Sequence, residues 1–177
     1  MKKIILLAVI LSLNVMASDE KKEKRSPIIT ASQLAELVRQ QGADNAISTL
    51  SGTDGDGGEW KYVMDKISSG KSEWLNVVPL LADTGPEGMS IDISRAVALA
   101  LVNNTEGVLS IINDHFIPIS TRDVCSMPFN NKTRPERNEY VVNAIQVLYK
   151  SNSVQAQKCL QQLIKTVGQS DPSWEGD

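Results

Sequence analysis

A chain of 177 residues with 41% hydrophobic residues suits one globular domain and is too apolar for a disordered chain. Its net charge of −3 excludes a generally basic nucleic-acid binder. Two cysteines and one histidine exclude a Cys₂His₂ or Cys₄ zinc site, and the composition points to no cofactor.

Residues 1–17 read as a secretory signal peptide with cleavage after Ala17. Lys2 and Lys3 form the positive start, residues 4–13 the apolar stretch, and Val15-Met16-Ala17 the small-residue cut. The alternative is a membrane anchor, but this apolar run is too short to span a hydrocarbon core of ~30 Å. No cysteine follows it, so no lipid-attachment site exists there. The expected product is a soluble protein of an oxidising space, most simply a bacterial periplasm.

In that compartment Cys125 and Cys159 are expected to pair. The bond would close a loop of about 35 residues, worth roughly 4 kcal/mol in the chain-entropy account. The competing reading, a catalytic or redox thiol, has neither a C-x-x-C pair nor a suitably spaced histidine to support it.

Residues 18–26 carry charges of both signs and no apolar side chain, as expected of a solvated tether. A helical domain is predicted over residues 27–170. Ser32 is the candidate cap of its first helix, with Leu34, Leu37 and Val38 on the buried face and Gly42 at its end. A short helix over residues 43–50 follows. Four glycines within residues 52–58 then exclude any regular element and predict an exposed acidic loop.

Trp60, Val63, Met64 and Ile67 recur at i, i+3, i+4, i+7, an amphipathic helix that Gly70 ends. Ser72 caps the next, with Trp74, Val77, Val78 and Leu81 inward and Pro79 kinking it or marking a late turn. Residues 91–102 (IDISRAVALALV) are apolar on nearly every side after Arg95. A central strand also fits this alternation, but the alanines and the length favour a buried central helix. Thr105 caps a short helix, and residues 116–133 are irregular. Thr133 and Glu136 form a capping box ahead of a helix with Val141, Ala144, Ile145 and Leu148 inward. Ser153 caps the last helix, which Gly168 ends. Residues 171–177 form a tail in which Trp174 can dock.

The expected fold is therefore all-α, a bundle of seven or eight helices packed as successive hairpins with one disulfide.

Signals of chemistry are few. His115 at a helix end suits the helix dipole better than catalysis. Asp54-x-Asp56 invites a calcium loop, yet Gly58, Glu59 and Asp65 miss three required positions. Asp54, Asp56 and Glu59 are instead candidate contacts for a basic partner. Within residues 125–134, Met127 and Phe129, with Ile117 nearby, are either exposed anchors or plugs that seat the loop on the core. Arg134 would add to a mixed-charge rim.

Several of these residues are familiar as a set. They run Trp60-x-x-Val63-x-x-x-Ile67-x-x-Gly70-x-x-x-Trp74-Leu75, then Ile93-x-x-Ala96-x-Ala98-x-Ala100-Leu101, Asn104, Gly107-Val108-Leu109 and Asp123-Val124-Cys125-Ser-x-Pro128-Phe129. Together they resemble a group of small, exported, all-helical proteobacterial proteins of mostly unassigned function, over roughly residues 58–159. The layout is also similar to periplasmic immunity proteins that neutralise toxins delivered by type VI secretion. That resemblance implies a small, helical, disulfide-containing protein without catalytic residues, which acts by covering a protein partner. An envelope structural or assembly factor binding peptidoglycan, a lipoprotein or a secretion component is the alternative function. No nucleic acid and no membrane insertion are expected after signal removal, and a second copy of the chain is a further candidate partner.

Overall fold

Helix α6 (Glu87–Asn103) organises the molecule because its sequence leaves it no polar face after Arg95. Ile93, Val97, Ala98, Ala100 and Leu101 are all fully buried, so neighbours cover α6 on several sides. The computed structural model describes residues 28–52, 58–84, 87–129 and 131–169. The expected signal segment 1–17, the charged stretch 18–26, Asp54, Asp56 and residues 171–177 lie outside the described residues.

Around α6 the chain winds as helical hairpins. α1 (Ala31–Gln41) packs on α2 (Ala43–Ser51), and α3 (Gly58–Ser68) lies along α6. Two four-residue helices follow, α4 (Ser72–Leu75) and α5 (Val78–Leu81). α7 (Thr105–Ile111) folds back on α6, and a 3₁₀ turn (Ile117–Ile119) leads into α8 (Thr121–Val124). α9 (Arg134–Lys150) and α10 (Val154–Gly168) form the terminal hairpin, and α9 touches α6 while α10 touches α8. Among the described residues there is no strand, and one continuous apolar cluster runs from Leu34 to Leu163. The all-α expectation holds, and among the described residues seven of the ten α-helical segments have seven residues or more.

Local chemistry explains where the helices begin. Thr133 and Glu136 form the expected capping box, with the Thr133 N–H donating to the Glu136 carboxylate at 2.8 Å. Ser153 caps α10 as expected, accepting from the Ala156 N–H. Four starts differ from the sequence reading. Lys71 stands at the cap of α4 in place of Ser72, which is already helical and whose hydroxyl accepts from the Asn104 amide at 3.4 Å instead. Thr30 caps α1 in place of Ser32, because Gln33 stands three residues after Thr30 and closes a reciprocal pair. Asn104 caps α7 in place of Thr105, whose hydroxyl donates to the Leu101 carbonyl instead. Pro79 separates two helices rather than kinking one. It lacks the N–H that would bond back one turn, and it sits in the first turn of α5, where none is needed.

Asn104 also clamps two turns together. Its amide nitrogen donates to the Gly70 carbonyl at 2.7 Å, and its oxygen accepts from the Gly107 N–H at 3.0 Å. Gly70 has φ +75°, and a Cβ there would meet Asn103 Cβ at 3.0 Å. A Cβ at Gly107 would press on the Asn104 side chain itself at 2.7 Å. Both glycines are therefore required by close approach, and this junction sets how α3 and α4 meet α6 and α7.

Candidate functional site

Residues 112–133 contain little regular structure, so covalent and side-chain ties have to hold them. Cys125 and Cys159 form a disulfide with a Cα–Cα distance of 5.2 Å, joining the end of α8 to the buried face of α10. Next to it, Gln162 of α10 donates to the Ser126 hydroxyl at 2.7 Å, and Gln155 donates to the Thr121 hydroxyl at 2.9 Å. From the other side, Arg95 of α6 donates from Nε to the Pro128 carbonyl at 3.1 Å. The same guanidinium contacts Asp92, which accepts from the Trp60 indole N–H at 3.3 Å. The buried Ser94 hydroxyl lies 3.1 Å from the Pro118 carbonyl, to which it can donate. The segment is thus tied to α6 and α10 directly, and to α3 through Asp92.

These ties decide which loop residues reach solvent. Phe129 is only 3% exposed and stacks edge-on against Tyr140 at 4.6 Å between ring centres. Tyr140 in turn donates its hydroxyl to the Ala98 carbonyl at 3.1 Å, and burial pushes its phenol pKa upward. Phe129 therefore plugs the loop onto the core and offers no anchor to a partner. Met127 is half-buried against the same core, with φ +56°, a left-handed conformation uncommon for a side chain of its size. Its carbonyl accepts from the Phe129 N–H at 2.7 Å, which closes the turn that carries Phe129 inward.

The exposed large apolar side chain of this segment is Ile117. The 3₁₀ turn buries Pro118 and Ile119 and leaves Ile117 70% exposed at its tip. Two adjoining shallow hollows lie beside this segment, of about 380 and about 400 Å³, sharing Asp114, Thr121 and Gln162. Lys158 and Lys165 line one; Arg122 and Asp123 line the other, together with Ile117. The Asp114 carboxylate accepts from the Thr121 N–H at 2.7 Å. That bond holds its pKa below the ordinary carboxylate value, with help from the Thr121 hydroxyl and the Lys158 charge. An apolar tip within a rim of both signs has the anatomy of a protein-binding patch.

The remaining sequence candidates are scattered. Glu59 is half-buried in the first turn of α3, where a carboxylate suits the positive end of the helix. Arg134 is exposed at the first position of α9. The structure does not bring Glu59 and Arg134 into one described cluster. His115 is exposed and packs edge-on against Phe116 at 5.5 Å. Among the described residues, no three His, Cys, Asp or Glu side chains converge to hold a metal. No helix among them is long and apolar enough to cross a membrane.

No family model matches the chain, and neither a curated protein nor a solved structure does.

Proposed function

We propose that this protein is an exported, non-catalytic binding protein that covers a site on a protein partner, as an immunity protein or inhibitor covers a periplasm-acting toxin. The observation that carries this reading is the exposed Ile117, raised on a segment whose other apolar side chains are largely turned inward. Such an arrangement has a physical use in binding. A preformed anchor loses little conformational entropy on association, so more of its buried area appears as affinity. The disulfide supports the same reading, because it holds the anchor in place and because such bonds persist in oxidising compartments. Residues 1–17 add the signal-like pattern that export requires.

The test is capture from periplasmic extract with the oxidised protein as bait, beside an Ile117→Asp bait. A degradative enzyme should be retained by the first, inhibited at one-to-one ratio, and lost from the second. Retention only of envelope-assembly components would replace this function with the structural alternative. Equal retention by both baits would remove Ile117 from the binding surface.

A further inference from the structure

Residues 140–170 hold three lysines and no carboxylate, although the whole chain carries 21 Asp and Glu against 18 Lys and Arg. Two of those lysines, Lys158 and Lys165, line the hollow of about 380 Å³ beside Asp114 and Thr121. They stand seven residues apart on α10, which spaces them about 10.5 Å along one stripe. Arg122 adds a third cation where the neighbouring hollow of about 400 Å³ opens beside Ile117. Two carboxylates share these hollows, and both are engaged by their own segment. Asp114 accepts from the Thr121 N–H at 2.7 Å, and Asp123 accepts from the Ser120 hydroxyl at 2.5 Å. The Lys158 charge reaches Asp114 without an ion-pair contact. No ion pair among the described residues includes Lys158, Lys165 or Arg122.

We propose that these hollows receive an acidic segment of the protein partner, with an apolar side chain seated on Ile117 and carboxylates on Lys158, Lys165 and Arg122. The inference deepens the proposed function and rests on it, since it takes the Ile117 surface as the one that binds. Charge complementarity selects the occupant. A carboxylate brought into the hollows meets three cations that no carboxylate of the described residues holds in an ion pair. A basic segment would meet those three like charges, and two carboxylates whose oxygens already accept bonds from Thr121 and Ser120. Gln161, exposed between the two lysines, adds an amide that can donate to the same oxygens. The apolar tip and the cations beside it thus divide the work: Ile117 supplies buried area, and the cations set which segment is accepted and in which register.

The test is selection from a displayed library of random peptides about 12 residues long. The targets are the oxidised full chain, an Ile117→Asp variant and a double variant carrying Lys158→Glu and Lys165→Glu. All three positions are exposed, so the variants should fold, which circular dichroism and melting check. The unaltered chain should select an apolar residue flanked by Asp or Glu. The double variant should lose the acidic positions, and Ile117→Asp the apolar one. A synthetic consensus peptide, followed by fluorescence anisotropy, should bind the double variant at least about tenfold more weakly than the unaltered chain, and should weaken as salt is raised. A consensus that depends on Ile117 but lacks Asp and Glu overturns this inference and leaves the Ile117 surface standing. Acidic positions that persist on the double variant place the carboxylates elsewhere and overturn it equally. Failure to select any sequence that depends on Ile117 overturns both this inference and the reading it rests on. A last variant, with Asp171→Asn, Glu175→Gln and Asp177→Asn, tests the chain's own acidic residues as the occupant. Unchanged affinity for the consensus peptide supports the partner, and affinity raised at least about tenfold gives the hollows to residues 171–177 and overturns the inference.

Discussion

Ile117 and Phe129 show how much single side chains decide in this protein. Both are large apolar residues in the same irregular segment, yet one is 70% exposed and the other 3%. Replacing Ile117 by Asp removes the apolar tip without touching the core, so the melting temperature should stay within about 2 °C while partner affinity falls at least about tenfold. Phe129→Ala behaves oppositely. It empties the site against Tyr140 and should cost about 3–5 kcal/mol in chemical denaturation, whatever it does to binding. Nothing in the sequence separates these two residues, because both lie outside any periodic element and burial there depends on ties from distant residues such as Arg95 and Gln162. Glu136 supplies a pH-dependent contribution of the same local kind. Its capping-box bonds lower its pKa from 4.5 to about 2 in the folded state. Its contribution to stability is therefore complete above the unfolded value of 4.5 and is lost as pH falls from there toward about 2. Glu136→Gln should show a smaller loss of melting temperature between neutral pH and about pH 3 than the unaltered chain. An equal loss in both would assign the acid sensitivity to other carboxylates.

At the scale of elements, the junctions matter more than the helices. Most helices are legible from spacing alone: the Trp60 to Ile67 pattern, the apolar run of α6 after Arg95, and the capping box of α9 each appear where periodicity and capping chemistry place them. What periodicity does not encode is the contact between turns. Asn104 reads in sequence as a break, and in the structure it bonds to Gly70 across 34 positions. Asn104→Ala should cost about 2 kcal/mol, the cap and the tie to the Gly70 carbonyl being lost together. The cost is read from urea midpoints at constant slope. The disulfide is the largest tie of this class. It spans 34 positions, and replacing both cysteines by alanine should cost roughly 4 kcal/mol and lower the melting temperature by roughly 10 °C. The variant should also lose more partner affinity than its fraction unfolded explains, because the Ile117 segment is tied to α10 largely through this bond.

For the whole molecule, the fold separates a covered interior from two adjoining outward features. Among the described residues no buried side-chain nitrogen or oxygen lacks a hydrogen-bond partner, so the interior is satisfied as it stands. The Ile117 tip lies on the stapled segment, and Lys158 and Lys165 of α10 line the hollow beside that segment. Asp54 and Asp56 lie outside the described residues, and their contact with a basic partner is a proposal drawn from the sequence alone. If the stapled segment is the binding surface, it is tested most directly by calorimetry. The affinity of the captured partner is measured for the unaltered chain and for Ile117→Asp. A one-to-one complex weakened at least about tenfold by that change is predicted. The same affinity for both proteins would contradict it.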